Sequence, residues 1–246
     1  MTYAPLDTDP RTGLSAAEGE DAVPRRRGVG CAFEIVETLV LTIVIYLVIH
    51  NFVAQPFKVE QSSMIPTLLP EEYVLIDKLT PRFSDYQRGD IVVFTPPEGF
   101  EQGGVPFIKR VIGVPGDTVG LENGRVFVAP SGGEPHQLTE TYINTVDGEF
   151  VATRPRDAQG TTEWHVPPGT YFVMGDNRDA SQDSRTFGPI GRDLIVGRGW
   201  VRYFPLDRIG ILERPGYPEL DGDSAASARR DPVPVELPLD LSFARP

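Results

Sequence analysis

From about Ile35 to Val53 the chain is almost purely apolar, interrupted early by Glu37 and late by His50 and Asn51. A helix of about 20 residues, rising ~1.5 Å each, spans the ~30 Å hydrocarbon core of a bilayer, so this run predicts a transmembrane helix over 31–55. Pro56 ends it. Arg25, Arg26 and Arg27 precede the run and no comparable cluster follows, which puts the N-terminus in the cytoplasm and the rest outside. The competing reading is a cleavable secretory signal; against it, the run is longer than a usual signal core and no small-x-small site follows.

The flanks differ in character. Residues 1–30 mix Asp, Glu, Gly, Pro and Ala without apolar periodicity and are expected to be a disordered cytoplasmic N-terminus. Residues 213–246, rich in Pro, Ala and Asp, are expected to be a disordered tail. The single cysteine, Cys31, forms no internal disulfide and says nothing about redox compartment. Its Val29-Gly30-Cys31 setting is faintly like a lipoprotein cleavage site, but the apolar run follows the cysteine, so Cys31 is read as the start of the membrane helix. A formal charge of −12 leaves no broad basic field and excludes nucleic acid as an expected partner.

Between 56 and 212 short runs rich in Val, Ile, Phe and Tyr alternate with Gly and Pro punctuation. Examples are Tyr73–Ile76, Asp90–Thr95, Phe107–Gly113, Arg125–Val128, Thr170–Met174 and Ile195–Tyr203. This pattern predicts an all-β, antiparallel domain. The chain's 246 residues, 40% hydrophobic, suffice for one sizeable core or two small ones.

Two residues inside that domain invite chemistry. A serine hydroxyl is a weak nucleophile, and most Ser-Ser pairs are solvated turns, but Ser62-Ser63 is embedded among Met64, Ile65, Pro66 and Leu68 just beyond the membrane run. Lys109 sits in an apolar strand, sharing one face with Phe107 and Val111 while Ile108, Arg110 and Ile112 share the other. Lowering a lysine pKa from ~10.4 to ~8 requires about 3 kcal/mol, which burial and the neighbouring Arg110 are expected to supply. A neutral amine there would take a proton from a serine. The bland alternative is a surface lysine on an edge strand.

A third polar cluster runs from Gly175 to Arg185. Asp179, Ser181 and Asp183 alternate as in a calcium loop, but Ser184 replaces the required glycine and Ile190 stands where a bidentate glutamate belongs, so no metal is expected. Asp183 and Arg185 are expected to pair and brace a nearby group. His50, His136 and His165 share no motif with a serine or an acid. Arg88-Gly89-Asp90 reads as a turn.

Taken in order, the apolar anchor and the segments Gln61–Leu68, Arg88–Phe94, Phe107–Asp117 and Gly175–Arg185 resemble those of bacterial type I signal peptidases. The resemblance implies a cofactor-free Ser/Lys dyad protease of the cytoplasmic membrane, acting outside on the signal peptides of exported precursors, with membrane lipid as its other partner. It makes Ser63 the nucleophile, Lys109 the general base and Ser181 the hydroxyl that orients the amine. The Ser63 backbone N–H is the expected oxyanion donor. Many members carry Ser or Gly where this chain has Gln61, whose amide can donate but with longer reach. Substrate would add as a strand between Lys58–Ser63 and Pro106–Ile108, with Phe107 beside it and Val59, Met64, Leu68 and Ile108 shaping small pockets. Two rivals stand beside this reading: a silent, membrane-anchored peptide-binding β domain and a Ser/Lys self-cleaving repressor-type protease. Oligomeric state is not legible.

Overall fold

The computed structural model describes residues 27–100, 103–146 and 148–220; the expectations for Arg25, Arg26, residues 1–26 and residues 221–246 lie outside them. The chain divides into two units, the first ending at Tyr46 and the second beginning at Leu47.

Helix α1 (Arg27–Val48) carries the apolar run and passes into a π-helical turn, Ile49–Val53. Phe33–Val53 is long and apolar enough to cross a membrane. Its large apolar side chains are exposed along its length, as a helix facing lipid requires. Several of its polar side chains bond the helix backbone: the Thr38 and Thr42 hydroxyls donate to the carbonyls of Glu34 and Thr38, at 2.8 and 2.7 Å, and the Asn51 amide donates to Leu47 O at 2.8 Å. The helix starts four residues earlier than the expected 31, taking in Gly28 and Gly30. The backbone is already extended at Ala54, two residues before the proline assigned to stop it.

Among the described residues the body has fourteen strands: β1 (Ala54–Lys58), β2 (Tyr73–Asp77), β3 (Ile91–Phe94), β4 (Phe107–Gly113), β5 (Thr118–Glu122), β6 (Arg125–Ala129), β7 (His136–Gln137), β8 (Thr145–Val146), β9 (Glu149–Phe150), β10 (Glu163–His165), β11 (Thr170–Met174), β12 (Ile190–Gly191), β13 (Ile195–Phe204) and β14 (Gly210–Ile211). The larger sheet has the order β1-β2-β13-β3-β4-β11-β12, with β14 on β13; the smaller is β10-β5-β6-β7; β8 and β9 form a hairpin. All these pairs are antiparallel. The all-β expectation holds, and the six runs named from sequence each fall on a strand.

β4 organises the core because every one of its residues is buried. Phe107 and Val111 enter a cluster with Phe94, Tyr171 and Val173. Ile108 enters a second with Met64, Leu68 and Ile76, and Ile112 a third with Val119, Val126 and Phe172. Such runs without alternation mark a strand covered on both faces. Where β4 ends, a Cβ at Gly113 would lie 2.7 Å from Val119 Cγ2 and 3.0 Å from Val166 Cγ2, so only glycine lets the two sheets close.

The sequence placed the end of the body at residue 212, and here the structure differs. Residues 213–220 return to the fold: Tyr217 and Leu220 are 6% and 3% exposed and belong to the Ile112 cluster. Pro215, Gly216 and Pro218 masked this by making the segment read as tail. Replacing Leu220 by Ala is expected to cost about 2–5 kcal/mol, the usual range for a buried leucine, read as a shift in denaturant midpoint. A midpoint equal to the parent's would show that this segment does not pack.

Candidate active site

Ser63 is presented by one 3₁₀ turn, Ser62–Met64, that follows β1. The turn is tied down on both sides. Upstream, the Val59 N–H donates to Glu72 O and the Glu71 N–H to Val59 O, both at 2.8 Å. Downstream, the Leu68 N–H donates to Met64 O at 2.9 Å, while Met64 and Leu68, with no exposed surface, are driven into the core. The serine itself is 3% exposed.

Lys109 comes from the middle of β4, opposite Val92 of β3. Its Nζ stands 2.7 Å from Ser63 Oγ and donates to Ile108 O at 2.9 Å. The Phe107 ring lies 5.0 Å away and helps keep water out. Burial pushes the Lys109 pKa down to about 8, against the opposing pull of Asp183 and then Asp176. The depressing agent is burial alone, and Arg110, expected to contribute, does not act on the amine. Strand alternation turns the two side chains apart, and the Arg110 guanidinium is claimed by Asp176.

The third element is the loop after β11. Gly175 is its point of closest approach: a Cβ there would meet Ser181 Oγ at 2.3 Å and Ser63 O at 2.5 Å. The Asn177 N–H donates to Ser63 O at 3.0 Å and its side-chain amide to Ser62 O at 3.1 Å. These contacts dock the serine turn on the loop. Ser181 is buried and its Oγ has no hydrogen-bond partner, although it lies near enough to Asp183 to help hold that carboxylate down.

Three buried arginines lock the loop. Arg110 binds Asp176 in a fork, Nε to Oδ1 at 2.8 Å and Nη2 to Oδ2 at 2.7 Å, and the Thr67 hydroxyl donates to the same carboxylate at 2.5 Å. Arg185 forks onto Asp183 at 2.8 Å twice, and Asp183 also accepts from the Gly175 N–H at 3.0 Å. Burial raises the Asp183 pKa, but the Arg185 contacts outweigh it and hold the carboxyl below its ordinary value. Arg178 grips Glu140 with both guanidinium nitrogens and donates to Gly175 O at 3.0 Å through Nε. Removing one partner from such a pair strands a buried charge, so each pair is costly to break.

The structure thus brings Ser63, Lys109, Ser181, Asp183 and Arg185 into one neighbourhood. Val59 and Ile108 line a small cleft with Lys58, Glu60, Gln61 and Pro106, the two segments expected to flank a substrate strand. Phe107, Met64 and Leu68 do not line it. Phe107 is 1% exposed and stacks edge-on against Phe94 on the opposite face of β4, and Met64 and Leu68 are core anchors of the serine turn. Gly175, Asn177, Thr67, Glu140 and Arg178 escaped the sequence reading as supports. Arg88 also has a structural task, bonding Ile112 O at 3.1 Å and pairing with Asp117, while Gly89 O accepts from Arg110 Nη1 at 2.9 Å. His136 and His165 lie in the strands of the smaller sheet, and His50 in the π-helical turn.

Residues 32–204 match the family model described as signal peptidase, peptidase S26. A signal peptidase I of Leptolyngbya laminosa is 38% identical over 184 residues, covering 73% of this chain and 83% of that protein. One from Bacillus licheniformis is 34% identical over 180 residues, 72% of this chain and 91% of that protein. A crystal structure of a signal peptidase I from Enterococcus faecalis V583 is 31% identical, covers 47% of this chain and 97% of that chain, and has a TM-score of 0.35.

A buried amine with a depressed pKa weakens the fold. Below pH 8 folded and unfolded chains both hold the Lys109 proton and the penalty is whole, about 3 kcal/mol for a fall from 10.5 to about 8. Between these values only the unfolded chain stays protonated, so stability rises with pH. Lys109→Met is therefore expected to stabilise the protein at pH 7, with a gain that shrinks toward pH 10.5, measured by denaturant unfolding at both ends. A gain that is absent at pH 7, or constant with pH, contradicts the burial argument.

Proposed function

The chain belongs to the signal peptidase family, peptidase S26, and is a serine endopeptidase that cleaves signal peptides; we propose that Ser63 is its nucleophile and Lys109 its general base. The 2.7 Å contact between Lys109 Nζ and Ser63 Oγ, inside a pocket that favours the neutral amine, is the observation that carries the assignment. In this mechanism neutral Lys109 takes the hydroxyl proton as Oγ attacks the scissile carbonyl carbon. The Ser63 backbone N–H donates to the developing oxyanion, with the side-chain amide of Gln61, the residue that precedes the turn, as a second donor. The Lys109 ammonium then protonates the leaving amine, and the signal peptide remains as an ester on Ser63. Lys109, neutral again, deprotonates a water that attacks the ester, and proton return to Oγ regenerates the enzyme. Ser181, with its buried and unpartnered hydroxyl, is assigned to orient the amine.

The cleft supports a small side chain before the cut. It holds about 10 Å³ of open space between Val59 and Ile108, room for little more than one water-sized group. Peptide backbone would bond as an added strand to Lys58–Gln61 and Val105–Ile108.

The proposed setting is a bilayer, crossed once by α1, with the N-terminus in the cytoplasm and the body outside. Besides the helix, the body itself exposes Trp200, Phe204, Leu206, Ile209 and Ile211 at 47–75% along the end of β13 and β14. An apolar patch of this kind suits lipid contact, where enzyme and signal peptide share one surface.

Ser63→Ala and Lys109→Ala are each expected to abolish cleavage of a signal-peptide substrate in purified, folded protein, and Lys109→Arg to be equally inactive because guanidinium keeps its proton. Cleavage by the parent enzyme should rise with pH through a midpoint near 8, as Lys109 loses its proton. Activity in the Arg variant, or a rate flat from pH 6 to 9, removes Lys109 from the base role; binding without cleavage by the parent would favour a silent peptide-binding domain. A separate measurement tests the topology. Protease added to intact spheroplasts should degrade the body, and protection until lysis would reverse the orientation.

A further inference from the structure

The loop that docks Ser63 is gripped from a direction the mechanism does not use. Residues 213–220 form a strap that leaves β14 and runs between two open cavities, of about 350 and 530 Å³, before Tyr217 and Leu220 sink into the core. The strap reaches the segment 139–142 twice. Glu219 accepts from the Thr139 N–H at 2.6 Å, and the Tyr217 and Tyr142 hydroxyl oxygens are 2.9 Å apart. The Tyr142 hydroxyl donates to Glu140 Oε1 at 3.0 Å, so its proton is engaged and Tyr217 is the donor between the two tyrosines.

Tyr142 is where the arginine clamps meet. Its ring lies under the Arg110 guanidinium, 4.1 Å from centroid to Cζ, and Arg110 holds Asp176. Its hydroxyl holds Glu140, which holds Arg178, which binds Gly175 O. The two branches end on adjacent residues, Gly175 and Asp176. Next to them, the Asn177 N–H holds Ser63 O. The hydrogen bond that Tyr217 donates polarises the Tyr142 hydroxyl and strengthens its bond to Glu140, as in any chained pair in a low-dielectric site.

We propose that Tyr217 is a positioning residue for Ser63, acting through Tyr142 and the two arginine clamps to hold residues 175–177 against the serine turn. The inference rests on Ser63 being the nucleophile. It assigns the strap to the reaction as well as to the fold. Burial pushes Tyr217 up to about 12 and Tyr142 well above its ordinary value, so both hydroxyls keep their protons while Lys109 titrates.

The test uses the full chain in detergent and a synthetic peptide with alanine at the first and third positions before the cut. Tyr217→Phe, Tyr142→Phe and the double variant are compared for kcat, KM and Tm, with Ser63→Ala as control. Tyr217→Phe is expected to lower kcat about fivefold, the effect of one hydrogen bond, and to leave KM within about twofold. The double variant should be no slower than Tyr142→Phe alone, because the Tyr217 hydroxyl acts only through Tyr142. A fall in Tm with kcat and KM unchanged makes the strap purely structural and overturns the proposal. So do losses in kcat that multiply in the double variant. Cleavage that persists in Ser63→Ala instead removes the nucleophile assignment, whatever the tyrosine variants do.

Discussion

An amine proposed to act in its neutral form near pH 8 has to be kept dry, and dryness has to be imposed by a fold that would be more stable without it. That demand explains why Lys109 occupies the middle of a strand whose seven residues are all buried. An edge strand, the ordinary home of a lysine, would leave the amine in water with its usual affinity for a proton. The core on the Phe107 side of β4 therefore does two tasks at once, closing the sheet and withholding solvent from Nζ.

Keeping water away creates a second difficulty, since the loop that completes the site carries Asp176 and Asp183, whose charges pull the amine back toward protonation. Two of the three buried arginines, Arg110 and Arg185, answer this. Asp176 and Asp183 are each bonded by a guanidinium that is itself buried, so each charge has a partner beside it. Arginine suits the purpose better than lysine would, because its planar fork saturates both carboxylate oxygens and its own proton is never in play. The site thus divides its cations by chemistry: one that titrates, three that do not.

Local pattern made part of this readable. Short apolar runs between glycines and prolines located the strands, and the serine and lysine stood out because each broke an apolar setting. What escaped was set by contacts between distant segments. Tyr142 and Tyr217 are 75 residues apart and nothing around either announces the other. Gly175 appears in sequence as one more turn glycine, whereas its significance lies in what a Cβ would strike. Arg110 misled for the opposite reason: adjacency along a strand suggested influence on Lys109, but neighbours in a strand point to opposite faces. The family resemblance sets Met64, Leu68 and Phe107 at the substrate, whereas their side chains are buried in the core clusters around the serine turn and β4.

The parts of the proposed dyad are 46 residues apart, and the fork from Arg110 to Asp176 closes a further loop of 66. No stretch of nascent or partly unfolded chain holds a serine against a neutral lysine, because the lysine becomes neutral only when strands on both sides have paired. On the proposed mechanism, proteolytic competence is therefore the last property the chain acquires. A polypeptide that must enter the membrane beside other chains bearing cleavable apolar segments, while carrying an apolar segment of its own, is by this architecture harmless until it is finished.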